Sequence, residues 1–231
     1  MVDFSLANNP FWSALQTSQR HFSQGTGQIK KFAQDILPFV GLAHQDASLL
    51  NQIIPFMNPQ EEVYVQDGIG TIPANWKIIN HLSCIQMVCE KLPDIMLDKK
   101  PLIIKIERAD LDELFEMVNL VQPGFLMKRT HVLGDYFGIR TDGKLVATAG
   151  ERLKMDGLIE LSAVCTLQEY TGKGYAQCLI QHVCSRIFQK GSVPILHVLA
   201  SNARAIKLYE LFNFKKRMDF PLLKLKWEGP F

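Results

Sequence analysis

Gly172 and Gly174 bracket Lys173 in the stretch QEYTGKGYAQCL, residues 168–179. The residues that follow switch to the spacing of an amphipathic helix, with Ala176, Leu179, Ile180, Val183 and Ile187 along one stripe. A strand that runs into glycines at the mouth of a helix leaves several backbone N–H groups unpaired, and the helix dipole adds partial positive charge there. Such an end suits a phosphate, because glycine lets the ligand come close to the backbone. Lys173 could add a screened charge. The same glycines would also serve a plain tight turn, and a Gly-x-Gly by itself does not separate the two readings. The Walker spacing is absent, and so is the third glycine of the dinucleotide fingerprint.

A second feature lies downstream in LHVLASNARAIKLYELFNF, residues 196–214. Asn202 directly precedes a helical pattern whose first turn its side chain can cap, and Tyr209 follows two turns later.

The elements that must position these residues can be read in order. LIIKIER (102–108) is a strand candidate, and Leu111, Leu114, Phe115, Val118 and Val121 then fall at helical spacing. DYFGIR and KLVATAGERL form a hairpin around Asp142-Gly143, a strong turn signal. LIELSAVCTL is a strand feeding the glycine loop, PILHVLA is another, and PLLKLKW closes the chain after the Tyr209 helix. The implied architecture is a mixed sheet with helices on its faces.

The N-terminal half is expected to be a separate α/β domain, residues 1–97, of unassigned role, with the second domain at 98–231. In it, Ile29, Phe32, Ile36 and Leu37 fit one helical face, and Leu49, Leu50, Ile53 and Ile54 another. EEVYVQDG and WKIINHLSCIQMVCE read as strands.

Composition bounds the function. The 231 residues are 47% hydrophobic, and 25 basic against 23 acidic residues give a formal charge of +2, so no global field argues for nucleic acid or an anionic membrane. The apolar runs are too short to span a bilayer and the N-terminus lacks secretory order, so the expectation is cytoplasmic. The five cysteines form no CxxC pair and the six histidines no metal-ligand spacing, so free thiols and no metal are expected.

On the loop TGKGYA, the strand end V-C-T at 164–166 and the NxxAxxLYxxxxF signature from Asn202 to Phe214, the chain from about Leu102 to Trp227 resembles the GNAT superfamily of acyl-CoA-dependent N-acyltransferases. Within it, the chain resembles the glycine N-acyltransferase-like branch. The resemblance implies an α+β fold with a mixed, largely antiparallel central sheet flanked by helices, and an N-terminal half that is a degenerate copy of the same fold. It implies acetyl-CoA or another acyl-CoA as cosubstrate. The backbone of Val164 and Thr166 would pair with the pantetheine arm, and the amides of Thr171, Gly172, Lys173, Gly174, Tyr175 and Ala176 would hold the pyrophosphate. Asn202 would contact the pantetheine region, and Tyr209 would stand near the thioester sulfur as general acid. Glu169, Thr171 and Asn213 depart from the family's usual residues without touching the backbone mechanism; Asn213, in place of glycine, tolerates a left-handed helix end.

Acyl transfer to an amine needs a neutral nucleophile, a stabilised oxyanion and a protonated leaving thiolate. Glu160 is the candidate base, because a period of two would put it on one strand face with Ser162, Val164 and Thr166. A solvent-facing glutamate fits that position equally, as a helix tyrosine packed on the sheet fits Tyr209. Cys165, alternating with these residues, should point the other way and is not read as a nucleophile, and His197 and Glu151 read as structural. The expected activity is transfer of an acetyl group by direct attack to the amine of a small-molecule or amino-acid-like acceptor. A homodimer is compatible with this, and the oligomeric state is open. The alternative is a CoA-binding regulatory or interaction protein without turnover.

Overall fold

The computed structural model describes residues 2–93, 95 and 101–229; the expected boundary at 97/98 lies outside the described residues. In chain order the strands are β1 (Gln24–Gly25), β2 (Ile29–Lys31), β3 (Val40–Leu42), β4 (Glu62–Gln66), β5 (Trp76–Leu82), β6 (Cys84–Val88), β7 (Ile103–Lys105), β8 (Tyr136–Thr141), β9 (Lys144–Met155), β10 (Leu158–Thr166), β11 (Val193–Leu199), β12 (Lys215–Asp219) and β13 (Leu222–Trp227). The helices are α1 (Pro10–Gln16), α2 (Leu50–Ile53), α3 (Leu111–Val121), α4 (Tyr175–Gln189) and α5 (Ala203–Leu211).

A seven-stranded sheet in the order β12-β6-β11-β10-β9-β8-β7 organises the molecule. Every neighbouring pair in it is antiparallel except β10 and β11. The β8–β9 hairpin turns through Asp142 and Gly143 at φ 51° and 80°, the left-handed pair that a two-residue turn requires. The apolar stripes of α3 (Leu114, Met117, Val118) and α4 (Leu179, Ile180, Val183, Ile187) join one core with the sheet. Phe212 and Phe214 seal its end, and Asn213 between them takes the left-handed φ of 61° expected of it.

The two halves of the chain are interleaved. Strand β6 lies in the central sheet between β11 and β12, while β13, from the C-terminus, lies between β4 and β5 in a three-stranded sheet. A third sheet, β1-β2-β3, holds the rest of the first half's strands.

The helix read at Ile29–Leu37 is a correction. Residues 29–31 are β2, and one turn follows in which the Ala33 carbonyl accepts from the N–H groups of Ile36 and Leu37 at 2.9 and 3.1 Å. A buried strand running into a turn reproduces helical spacing over so short a span. Leu49 to Ile54 do form consecutive short helical turns. No helix among the described residues is long and apolar enough to cross a membrane.

Candidate active site

Strands β10 and β11 are paired in parallel only at Leu158, Ile159 and Glu160. Beyond Glu160 they part, and the gap opens into a cavity of about 420 Å³ lined by Ser162 to Cys165 on one side and His197 to Leu199 on the other. Helix α5 and its N-cap present Asn202, Ala205 and Tyr209 to this cavity, while Arg204, Lys207, Leu208 and Leu211 line a second cleft of about 450 Å³. That second cleft holds the glycine loop, from Thr171 to Gln177, with Tyr170 and Thr166. One helix thus stands between two sites, with residues three and four apart serving each.

The loop has the donors a phosphate needs. Gly174 caps α4 at φ 80° with no side-chain hydrogen bond to the helix, and the first helical bond runs from the Cys178 N–H to the Gly174 carbonyl at 3.1 Å. The amides of Tyr175, Ala176 and Gln177 therefore lie ahead of the helical ladder. A Cβ at Gly172, which has φ 77°, would meet nothing within 4 Å, so the backbone there lines open space. The Thr166 hydroxyl is buried beside this cleft without a hydrogen-bond partner among the described residues, an unsatisfied group of the kind a ligand completes. Arg204 and Lys207, which sequence reading passed over, add cationic charge; their spacing on the helix after Asn202 was the available signal. These features fit the diphosphate of an acyl-CoA.

Two loop residues have partners within the loop itself. The Thr171 amide and hydroxyl both donate to the Gln168 carbonyl, at 3.2 and 2.9 Å, so the amides left for a ligand begin at Gly172. The Lys173 ammonium lies 4.6 Å from the centroid of the Tyr170 ring, a cation–π contact at the rim. Asn202 accepts the Ala205 N–H at 3.1 Å, which caps α5 and leaves its side-chain NH₂ beside the cavity.

The face assignment on β10 is a second correction. Ser162 pairs with Gly150 and Thr166 with Ala147, three residues apart on a regularly paired stretch of β9, so Ser162 and Thr166 face opposite sides. The cause is a bulge between Ser162 and Cys165, where Ala163 sits at φ 50°. Cys165 is consequently one of the residues lining the cavity. It is still no nucleophile: burial pushes its thiol up to about 12, leaving it protonated at neutral pH.

Glu160 does not have the geometry of a base. It is fully buried, its two oxygens accept from Arg152 Nε and Nη2 at 2.8 Å each, and Oε1 lies 2.7 Å from His197 Nδ1. Burial alone would raise its pKa, but the charge and hydrogen bonds of Arg152, joined by His197, more than offset this and hold the carboxyl well below the usual range. Its role is to fix Arg152 and His197. The amide of Gln86 settles the histidine's tautomer: its oxygen accepts from Arg217 at 2.9 Å, so its NH₂ faces the Ala7 carbonyl at 2.8 Å and His197 Nε2 at 2.9 Å. Nε2 is then an acceptor, and Nδ1 carries the proton donated to Glu160. Glu151, buried against Lys190 and Lys154, lies outside the cavity lining.

Tyr209 lines the cavity, its ring edge-on to Phe214 at 5.8 Å, and its hydroxyl has no hydrogen-bond partner among the described residues. Burial raises its pKa above the ordinary phenol value, with Cys165 and Cys184 adding to the effect. It is therefore the protonated form that faces the cavity throughout the neutral range. With saturating acceptor, kcat should show no decline on the basic side below pH about 10 attributable to loss of this proton, which a pH–rate profile checks.

The FR47-like protein family model matches residues 136–221. A protein of the GNAT family from Novosphingobium aromaticivorans DSM 12444 superposes with a TM-score of 0.86 at 27% identity, over 96% of this chain and 99% of that one. A GCN5-related N-acetyltransferase from Kribbella flavida superposes at 0.63 with 13% identity, over 98% and 95% of the two chains. The comparison with curated proteins gives no match. The chain carries the mixed α/β fold of the GNAT acetyltransferases, its FR47-like segment running from the start of β8 to the turn before β13.

Proposed function

We propose that this protein is an N-acetyltransferase that moves the acetyl group of acetyl-CoA to the amine of a small-molecule or amino-acid-like acceptor by direct attack, within or near the glycine N-acyltransferase-like branch. The observation that carries the reading is the pair of sites on either side of α5: a glycine-lined helix N-terminus with no side-chain cap facing one, and a phenol without a partner among the described residues facing the other.

In this reading the amides of Gly172 to Ala176 hold the diphosphate, and Arg204 and Lys207 balance its charge. The edge of β10 at Val164 and Thr166, no longer paired with β11, accepts the pantetheine arm as an added strand. The Asn202 side-chain amide steadies that arm. The acyl thioester supplies the electrophilic carbonyl. The acceptor nitrogen adds to it, the carbon–sulfur bond breaks, and the Tyr209 hydroxyl delivers its proton to the departing sulfur. The proton lost from the nitrogen returns to Tyr209 through water, so the amide and free CoA are the only products. Burial that raises the phenol raises a thiol in the same cavity as well, so acid and leaving group stay matched.

Calorimetric titration of acetyl-CoA, with dephospho-CoA and ATP as comparators, tests the placement. The wild type should bind, and Gly174→Glu, which puts a carboxylate and a side chain at φ 80° into the loop, should weaken binding by about tenfold or more. Equal affinities in the two proteins would remove the loop from the site. Binding without acetylation of any amine would favour a CoA-binding regulatory protein.

A further inference from the structure

We infer that the acceptor is an uncharged, weakly basic amine on an apolar, ring-sized body, and that polyamines and lysine side chains are excluded from the site. The inference rests on the proposed acetyl transfer and narrows its substrate. Its basis is what the 420 Å³ cavity contains and how its charged side chains are already paired.

Aromatic rings furnish much of the wall: Phe11 and Phe39 from the first half of the chain, Phe125 after α3, and Phe220 before β13, with Leu161 and Leu222 between them. The titratable groups lining it are Cys84, Arg152, Cys165, His197 and Tyr209, with Glu160 behind Arg152. None offers an unpaired carboxylate to an incoming ammonium. The Glu160 carboxylate is held by Arg152 and His197, and Arg152 in turn stacks 4.9 Å from the Phe39 centroid. His197 accepts at Nε2 from Gln86 and donates at Nδ1. The two thiols are protonated and Tyr209 is an acid.

Two consequences converge. An ammonium entering this cavity would lose its hydration without an unpaired carboxylate to replace it, which disfavours the charged form strongly. An amine arriving protonated would also find no group within reach to take its proton, so attack requires that it enter neutral. Amines conjugated to a ring or next to an electron-withdrawing group meet both conditions at neutral pH. Alkyl polyamines meet neither.

The test measures CoA release from acetyl-CoA with aniline, benzylamine, spermidine and lysine between pH 6 and 9, alongside acetyl-CoA calorimetry on the same protein. With aniline, kcat/KM should be flat. With benzylamine it should climb about tenfold per pH unit toward the amine's own pKa, following its neutral fraction. Spermidine and lysine should fall at least about tenfold below benzylamine at every pH. A break at one pH shared by aniline and benzylamine would reveal an enzyme base and overturn the inference, as would spermidine or lysine matching benzylamine; either leaves acetyl transfer itself intact. Acetyl-CoA binding with no amine acetylated overturns the enzymatic reading, and this inference with it. Ser162→Asp supplies an independent check, since Ser162 lines the cavity without taking part in the Arg152–Glu160 pair. A carboxylate there should raise the spermidine-to-aniline ratio of kcat/KM about tenfold or more, and an unchanged ratio would show that cavity charge does not select the acceptor.

Discussion

Tyr209→Phe lowers kcat by roughly 10²- to 10³-fold and leaves the affinity for acetyl-CoA within about twofold, the expected result if its hydroxyl protonates the leaving sulfur. The substitution is unusually clean here. The hydroxyl has no partner to strand among the described residues, and the ring keeps its edge-on packing against Phe214 at 5.8 Å, so the melting temperature should stay put. Loss of rate without loss of stability or cofactor affinity assigns the oxygen to chemistry. A variant retaining more than about a third of wild-type kcat would leave Tyr209 a packing residue, because general acid catalysis is worth far more than that. Steady-state kinetics at saturating acceptor, with calorimetry and a thermal melt, gives all three readings.

The second large effect concerns stability. Glu160→Ala should destabilise the fold by about 3–5 kcal/mol, lowering the melting temperature by roughly 6–20 °C, because it leaves the buried Arg152 guanidinium without its counter-charge. Replacing both partners together with apolar residues of similar volume should recover most of the loss. The acid dependence has a definite sign. The folded carboxyl lies below its ordinary value, so its contribution is complete above about pH 5 and is lost as the pH falls toward the folded value. Thermal melts at pH 7 and pH 3 should therefore show a larger acid-induced drop for the wild type than for Glu160→Gln. Equal drops in the two proteins would mean that the pair contributes nothing to acid stability.

What the sequence made legible was local. The glycine loop, the Asn202 cap, the Asp142-Gly143 turn and the left-handed Asn213 each declare themselves within a few residues, because backbone sterics restrict which side chains tolerate those conformations. Helix α1 was locally signalled too, by Asn9 accepting from Trp12 at the N-cap and Pro10 at the first helical position, though its length of two turns hid it. The bulge at Ala163 left no such mark, since alanine has no preference for φ 50°, and one extra residue was enough to reverse the faces assigned to the end of β10. The fate of Glu160 was equally hidden. Its partner Arg152 is eight residues away across a hairpin, and its other partner, His197, lies on a strand reached only through α4. Pairing of that kind is a property of the tertiary fold.

The interleaving of β6 and β13 has a consequence for how the molecule comes into being. Strand β6 finds β11 and β12 only after more than a hundred further residues have been made, since Cys84 pairs with Leu199 and Val88 with Lys215. Loop closure over such distances comes late and slows folding. During synthesis the first half must wait, with β4 and β5 unjoined until Leu222–Trp227 leaves the ribosome and slots between them. The aromatic wall of the acceptor cavity is assembled in that same last step, from Phe11, Phe39 and Phe220. A chain in which β13 has not yet docked exposes the facing edges of β4 and β5, so that docking step is where misassembly and aggregation would begin.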